Sequence, residues 1–267
     1  MKDLGEANVI LGIKISGTSN GIFVDQSHYI EKILKKYNYY DCKPAGIPFD
    51  FNVHLFPTKD ENDIYNWKEF AIIIGSLRYA TDCTKLDIAY VVGVLARFSS
   101  KPNFEHWNAM TQLMRYLKRT VHYGLLYQRY PVVVEGYSDA SWNTLLGDSL
   151  PTTGYVFTLG GGAICWKSKK QQIIAKSTME VELIALSSAS EEVGWLRDLL
   201  FEIPMSEKPI SPVLIHCDST ATIGRVRNKY YNVKSRSIRK KHSIVRSYIN
   251  NGTINVDYIQ MIILRIH

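Results

Sequence analysis

The order of predicted elements in the second half of the chain is the feature that most restricts its fold. Short segments rich in β-branched and aromatic residues come first, and a long helical pattern follows over Thr178–Phe201. Strands and helices then alternate up to a last strand at Ile254–Tyr258. Successive strands followed by strand–helix alternation are typical of a mixed sheet with helices on its faces. The sequence therefore predicts an α/β domain in this half.

The predicted elements divide the 267 residues into two units, residues 1–130 and 131–267, with a boundary near Tyr130-Pro131. The first unit begins with a predicted hairpin, Asn8–Ile15 and Gly21–Val24, and is otherwise mostly helical. Its helical patterns begin at Gln26 and cover about 63–82, 85–98 and 103–120, with a polar loop over 44–62. The other predicted strands are Gly124–Gln128, Val132–Tyr137, Tyr155–Leu159, Ala163–Ser168, Gln172–Ala175 and Val213–Cys217, and the other predicted helices are Ser219–Asn228 and Ser235–Asn250.

Composition and cysteine spacing disfavour several classes of protein. A hydrophobic content of 46% supports folded cores, and a formal net charge of +7 favours a polyanionic partner. The longest apolar runs are too short to span a bilayer, so no membrane partner is expected. The cysteines are far apart and form no CxxC pair, which favours reduced thiols in an intracellular protein and disfavours a zinc enzyme. They are Cys42, Cys83, Cys165 and Cys217.

Three acidic residues lie where a mixed sheet brings chain segments together. Asp139 follows a β-branched run, and Asp218 follows the strand Val213–Cys217. Glu182 lies in the first turns of the long helix. Sites in such sheets gather at strand ends and helix starts, and clustered carboxylates suit Mg²⁺, two ions of which promote phosphodiester hydrolysis. The alternative for each acid alone is a turn residue, a helix cap or a surface charge.

The two glutamates at the start of the long helix are assigned different roles. Ser177 and Glu180 fit a capping box, in which the glutamate bonds back to the start of the helix. Glu182 lies on roughly the opposite side of the helix and borders the predicted apolar stripe through Leu183. We therefore predict that Glu182 is a metal ligand and that Glu180 is a cap.

The positive charge of the chain is concentrated in one segment. Between Asp218 and Asp257 there is no acidic residue. So long a run of cations favours contact with nucleic-acid phosphates, largely independent of base sequence, and the alternative is a solvated lysine-rich face. The candidate contacts are Arg236, Arg239, Lys240 and Lys241.

Three ring side chains near these segments are given ordinary roles. His242 is predicted as a histidine on the helix surface, with contact to a scissile phosphate as the alternative. Trp142 and Trp166 are predicted as core aromatic residues and not as platforms for base stacking.

Long segments of the chain resemble the Pol polyproteins of copia-type LTR retrotransposons. In the second unit, EGYSDASW, TTGYVFTLGGGAICWKSKKQ, STMEVELIALSSASEEVGWLRDLL and LIHCDSTATI are similar to the ribonuclease H domain. In the first unit, MKDLGEANVILGIKI, QSHYIEKILKKYNYYDCKP, IGSLRYATDCTKLDIAYVVGVLARF and HWNAMTQLMRYLKRT are similar to the end of the reverse transcriptase. The resemblance implies a ribonuclease H-like mixed five-stranded sheet flanked by helices, preceded by a mostly helical thumb- and connection-like region.

The resemblance also implies a function. The family's enzyme cleaves the RNA strand of an RNA–DNA hybrid with two Mg²⁺ ions, which Mn²⁺ can replace, and its acids carry over onto Asp139, Glu182 and Asp218. The implied partners are an RNA–DNA hybrid or another nucleic-acid duplex and the rest of the Pol polyprotein, including the polymerase palm. The implied location is the cytoplasmic virus-like particle, with the nucleus as the alternative. The family's YxDD polymerase motif does not occur in this sequence, so no polymerase activity is expected.

Two departures from the family affect this expectation. The family has a fourth catalytic aspartate shortly after the final strand, whereas residues 259–267 contain no acid. A shifted reading frame in a decayed element is our hypothesis for that segment, and the start at Met1, inside a homologous polymerase, indicates a fragment. Loss of one carboxylate predicts reduced activity. The alternatives to a nuclease are a catalytically inactive binder of nucleic-acid duplexes and a product of a decayed element without a role.

Overall fold

The computed structural model of the chain describes residues 8–50, 52–59, 63–129, 133–141, 150–204, 208–231 and 234–260. These residues form two compact units, one made of the described residues up to Arg129 and one of those from 133 onward. Each unit has its own hydrophobic core. Within the described ranges, no helix is both long enough and apolar enough to cross a membrane.

The first unit combines an antiparallel sheet with helices. The sheet has the order β1-β2-β3-β4, and the predicted hairpin is confirmed as the pair of β2 and β3. The strands are β1 (Val9–Ile10), β2 (Ile13–Thr18), β3 (Gly21–Asp25) and β4 (Gly124–Gln128). The helices are α1 (Ser27–Lys36), α2 (Trp67–Cys83), α3 (Ala89–Leu95) and α4 (Phe104–Arg119). The helical pattern predicted over 85–98 is divided, because α3 is flanked by tighter 3₁₀ turns at Leu86–Ile88 and Ala96–Phe98.

Strand β4 is distant from β3 along the chain, and a glycine permits their close approach. Gly124 pairs with Asp25, and a Cβ atom at Gly124 would come within 2.3 Å of the carbonyl oxygen of Val24. A larger residue would push the strands apart, so this glycine allows β4 to complete the sheet.

A buried lysine supports the end of α4. The Nζ of Lys85 donates to the carbonyl oxygens of Thr120 and Tyr123, which follow the last residue of the helix. Burial lowers the pKa of this lysine. Carbonyl groups at a helix end have no partner within the helix, so the ammonium group satisfies acceptors that would otherwise be buried without one.

The second unit contains the predicted mixed five-stranded sheet, in the order β7-β6-β5-β8-β9. The β5–β8 and β8–β9 pairs are parallel, and the β5–β6 and β6–β7 pairs are antiparallel. The strands are β5 (Val134–Ser141), β6 (Thr152–Leu159), β7 (Gly162–Lys170), β8 (Val213–Cys217) and β9 (Ile254–Tyr258). The helices are α5 (Thr178–Glu202), α6 (Thr220–Arg227) and α7 (Arg236–Asn250). The predicted bounds of β8 and β9 are confirmed.

The predicted end of β5 and one entire predicted strand are wrong. Strand β5 continues to Ser141 because its last four residues pair with β6, so Asp139 lies inside the strand and not at its tip. The segment Gln172–Ala175 is not a strand. Strand β7 ends at Lys170, which pairs with Thr152, the first residue of β6, so the chain beyond it finds no further residue of β6 to pair with.

His242 is buried, which corrects its prediction as a surface histidine. Its side chain is 3% exposed, and its Nε2 donates to the carbonyl oxygen of Arg225 at 3.1 Å. The histidine therefore joins α7 to α6. Trp166, predicted as a core residue, is half-buried on β7, and Trp142 lies outside the described residues.

Arg197 on α5 joins separate segments of the second unit. Its Nη1 donates to the carbonyl oxygens of Gly252 and Thr253 at 3.2 and 3.0 Å, and its Nη2 donates to that of Ile210 at 3.0 Å. Lysine keeps the charge but lacks the planar fork of donors. We expect Arg197→Lys to lower the free energy of unfolding by about 2 kcal/mol, measured by urea denaturation. Arg236→Lys, at an exposed position of α7, is the control, and equal losses in the two variants would contradict the prediction.

Candidate active site

The parallel pairing of β5 with β8 brings two predicted site residues to neighbouring positions. The last residues paired in this ladder are Ser138 and Cys217. Asp139 and Asp218 are the next residues along the two strands. Both carboxylates therefore follow the ladder at the same end of the sheet, beside the carboxyl end of β8, and sites of mixed α/β sheets lie at such strand ends.

The start of α5 adds the third carboxylate. The Oγ of Ser177 accepts from the backbone N–H of Glu180 at 3.3 Å, and the Glu180 carboxylate accepts from the N–H of Lys176 at 2.7 Å. Ser177 therefore caps the helix, and Glu180 reaches back as predicted, but it bonds the N–H of Lys176 and not that of Ser177, so the reciprocal bond of the predicted capping box is not formed. Glu182 is 9% exposed, and the backbone of Ala140 on β5 acts to lower the pKa of its carboxyl.

The three carboxylates affect one another's ionisation. Burial raises the pKa of Glu182 to about 8, and the negative charges of Asp218 and then Asp139 add to the rise. Burial, followed by the charge of Asp218, raises the pKa of Asp139, and burial raises the pKa of Asp218. The backbone of Ala140 opposes the rise at Asp139 and at Glu182. The cluster therefore resists full ionisation unless positive charge is added to it.

The donor atoms of the cluster fit a divalent cation. One carboxylate oxygen of Glu182, one of Asp218 and the Sγ of Cys217 all lie within 4.8 Å of one another. The Oε2 of Glu182 is buried and makes no hydrogen bond to any described residue. Such an oxygen is costly to bury unless a proton or a cation satisfies it, and carboxylate oxygens are the donors that hard divalent ions prefer. The structure thus brings two of the three predicted acids, Glu182 and Asp218, into a group able to hold a cation. Asp139 is not among these donor atoms, although its charge acts on Glu182 and it follows the β5–β8 ladder beside Asp218.

Cys217 is a member of the cluster that the sequence did not indicate. Its side chain is 0% exposed, and burial raises the pKa of its thiol to about 12. It is therefore protonated at neutral pH in the absence of a metal ion. The one available signal was its position directly before Asp218, because spacing between cysteines reveals nothing about a cysteine placed among carboxylates.

The basic segment comes close to the start of α5. Tyr231, which lies in the connection between α6 and α7, donates through its hydroxyl to Glu180 Oε1 at 3.4 Å. The guanidinium of Arg225 lies 4.9 Å from the ring centroid of the same tyrosine. This part of the basic segment therefore contacts the first turn of α5 at Glu180.

The four predicted nucleic-acid contacts are not equivalent in the structure. Arg236, Arg239 and Lys240 are exposed on α7. The ammonium of Lys241 lies 3.4 Å from Glu191 on α5, and its side chain is largely buried. Lys241 therefore takes part in a contact between the two helices.

The described residues supply no fourth carboxylate to the cluster. Residues 259–267 contain no acid, and 261–267 lie outside the described residues. Asp257, the last acid of the chain, lies on β9 in register with His216. Its side chain is exposed, and its carboxylate accepts from the N–H of Tyr258 at 2.8 Å.

The order of the five strands, with acids where β5 passes the end of β8, defines a protein of the ribonuclease H-like class. The chain is similar to a solved structure of the foamy viral protease–reverse transcriptase in complex with an RNA/DNA hybrid. The similarity covers 95% of this chain and 29% of that chain. The TM-score is 0.51 and the sequence identity is 15%, a level at which the likeness supports the fold.

Relatives of known name come from transposons. The chain is 34% identical over 263 residues to the retrovirus-related Pol polyprotein from transposon TNT 1-94 of Nicotiana tabacum, covering 96% of this chain and 20% of the relative. It is 27% identical over 262 residues to the retrovirus-related Pol polyprotein from transposon RE2 of Arabidopsis thaliana, covering 97% of this chain and 18% of the relative. The chain belongs to the retrovirus-related Pol polyproteins of transposons, as the resemblance predicted. It spans about a fifth of the length of these relatives. No protein-family model matches the chain.

Proposed function

We propose that the second unit hydrolyses the RNA strand of an RNA–DNA hybrid, with Asp139, Glu182 and Asp218 as ligands of two Mg²⁺ ions. The observation that carries the proposal is the closeness of Glu182 and Asp218, with Asp139 beside them, where a buried oxygen of Glu182 has no partner among the described residues. Membership of the Pol family supports the choice of substrate class.

Each acid contributes through its position. Bound Mg²⁺ ions supply an activated water and stabilise the leaving oxygen. Asp139 and Asp218 are held on adjacent strands, so the sheet sets the separation of their carboxylates. Glu182 is presented by the start of α5 and gives up its proton when a cation binds, because a coordinating carboxylate must be ionised. The backbone of Ala140 lowers the pKa of both Asp139 and Glu182 and so favours the ionised carboxylates that a cation needs.

Binding of the hybrid is assigned to the cations at the start of α7. Arg236, Arg239 and Lys240 are exposed on α7, and the connection that precedes this helix contacts the first turn of α5 through Tyr231. Contacts of this kind are made to phosphates, so binding is expected to weaken as the salt concentration rises. Lys241 is a weaker member of the set, because its ammonium already faces Glu191.

The first unit is proposed to be the end of the reverse transcriptase that precedes the ribonuclease H domain. On this proposal residues 1–130 and 131–267 are the two domains, and the partner of the first is the rest of the Pol polyprotein, including the polymerase palm. The proposed location is the cytoplasmic virus-like particle or the nucleus. No polymerase activity is assigned to the chain.

The proposal is tested by incubating the full chain with a labelled RNA–DNA hybrid and Mg²⁺. We expect cleavage of the RNA strand, and a loss of rate of at least about 10²-fold in Asp139→Asn, because misplaced ligands misplace the attacking water. Asp257→Asn is the matched control, since this aspartate lies on β9 outside the cluster, and its rate should equal that of the unsubstituted chain. Equal rates in all three proteins would overturn the assignment of the site.

A catalytically inactive binder of nucleic-acid duplexes is the second candidate. It is favoured by the lack of an acid in residues 259–267, where the family has its fourth aspartate. Salt-sensitive binding of the hybrid, with no cleavage in either Mg²⁺ or Mn²⁺, would select this candidate over the nuclease.

A further inference from the structure

The acidic cluster contains a sulfur donor as well as oxygen donors. The Sγ of Cys217 lies within 4.8 Å of carboxylate oxygens of Glu182 and Asp218. The side chain is 0% exposed, so solvent does not reach this sulfur.

We propose that Cys217, Glu182 and Asp218 together form a site for a thiophilic divalent cation, Zn²⁺, that overlaps the site for the hard ion. Thiolate sulfur selects ions such as zinc, whereas carboxylates accept both zinc and magnesium. Ligand atoms around a tetrahedral zinc ion lie about 3.5 Å apart, so small side-chain rotations bring the three donors into range. The buried Oε2 of Glu182, which has no partner among the described residues, is available as one of them.

The reaction at the site is a simple exchange of a proton for a metal ion. The S–H bond of Cys217 breaks, its proton passes to solvent, and a bond forms between sulfur and zinc. No electron is transferred, and no further reactant is required. The backbone of Ser219 acts to lower the pKa of this thiol and so favours its ionised form.

This site has a regulatory consequence, which rests on the proposed function. Zinc held by Glu182 and Asp218 occupies two of the three acids assigned to Mg²⁺. Because sulfur adds a ligand that the hard ion does not use, zinc binds more tightly and competes with it. We therefore expect low concentrations of Zn²⁺ to inhibit a Mg²⁺-dependent activity of this chain.

The inference is tested on the full chain without nucleic acid. Cd²⁺ serves as the probe, because a cadmium–thiolate bond has an ultraviolet charge-transfer band. We expect this band in the unsubstituted protein and its loss in Cys217→Ser, with Zn²⁺ affinity lowered on the order of 10-fold or more and Mn²⁺ affinity unchanged. Cys165→Ser is the matched control, since its sulfur donates to Glu192 at 3.1 Å and lies outside the cluster, and it should keep the band.

The possible outcomes separate this inference from the proposed function. A band of equal strength in Cys217→Ser, or no band in the unsubstituted protein while Mn²⁺ still binds, overturns the zinc site and leaves the nuclease proposal standing. Failure of both Cd²⁺ and Mn²⁺ to bind overturns both. If Cys217→Ser does not fold, Asp218→Asn decides the question, because it keeps the thiol. A shared site predicts a midpoint for the Cd²⁺ band on the order of 10-fold higher in that variant, and an unchanged midpoint overturns the site.

Discussion

Glu182→Gln is expected to abolish cation binding and, at the same time, to stabilise the cation-free protein at alkaline pH. The pKa of this carboxyl is raised from its ordinary value of 4.5 to about 8, so the folded state retains a proton that the unfolded chain loses. The stability linked to that proton is complete below about pH 4.5 and is lost as the pH rises through about 8. Glutamine carries no titrating group, so the variant does not lose this stability. Near pH 8 its free energy of unfolding should exceed that of the unsubstituted chain by on the order of 2 kcal/mol.

Urea denaturation with a metal chelator at about pH 5 and about pH 8 measures the effect. The difference in free energy of unfolding between Glu182→Gln and the unsubstituted chain should grow with pH. Glu202→Gln, at an exposed position near the end of the same helix, should show no such growth. Cleavage by Glu182→Gln should fall by at least about 10²-fold. A stability difference for Glu182→Gln that is independent of pH would show that the carboxyl is ionised in the folded protein.

Gly136→Ala is expected to lower the free energy of unfolding by about 3 kcal/mol, because this position on β5 has no room for a side chain. A Cβ atom there would lie 2.4 Å from the ring of Phe157, its partner in register on β6. That ring is 0% exposed in the core, so it cannot move into solvent. Since β5 also carries Asp139, the shift should disturb the acidic cluster and reduce cleavage as well.

Gly154→Ala is the matched control for the Gly136 variant. Gly154 lies on β6 opposite Asp139, and the nearest atom to an added Cβ atom would be 3.8 Å away, an ordinary contact. Thermal or urea denaturation of the two variants should therefore give a large loss for the first and a small change for the second. Losses of similar size would mean that the contact with Phe157 does not limit the residue at position 136.

The acids of the cluster were predictable because each is marked by a local pattern. Asp218 follows a β-branched segment whose bounds match β8, and Glu182 is distinguished from Glu180 by a capping box that operates within one helical turn. What the sequence alone does not contain is the register that pairs β5 with β8. That register depends on contacts between residues far apart in the chain, and it places Asp139 beside Asp218. The fold class followed from element order, and the exact pairing did not.

The misplaced residues share a dependence on tertiary contacts. The apolar segment Gln172–Ala175 has the composition of a strand, but the length of β6 decides where β7 stops. His242 lies in a basic run typical of a surface, but its side chain is buried and hydrogen-bonds to a carbonyl oxygen of α6. Cys217 has no metal-binding spacing, because its fellow donors are the carboxylates of the next residue, Asp218, and of Glu182 on α5. Each of these outcomes is set by a neighbour that local pattern does not identify.

Titration of the cation-free full chain with Mn²⁺, followed by the electron paramagnetic resonance signal of the free ion, measures most directly whether the three acids share a cation. The unsubstituted protein should bind Mn²⁺ saturably in the absence of nucleic acid, and Asp139→Asn and Asp218→Asn should each weaken binding on the order of 10-fold or more. Asp257→Asn should bind as the unsubstituted protein does. Equal affinity in all four proteins would contradict a metal centre built from Asp139, Glu182 and Asp218.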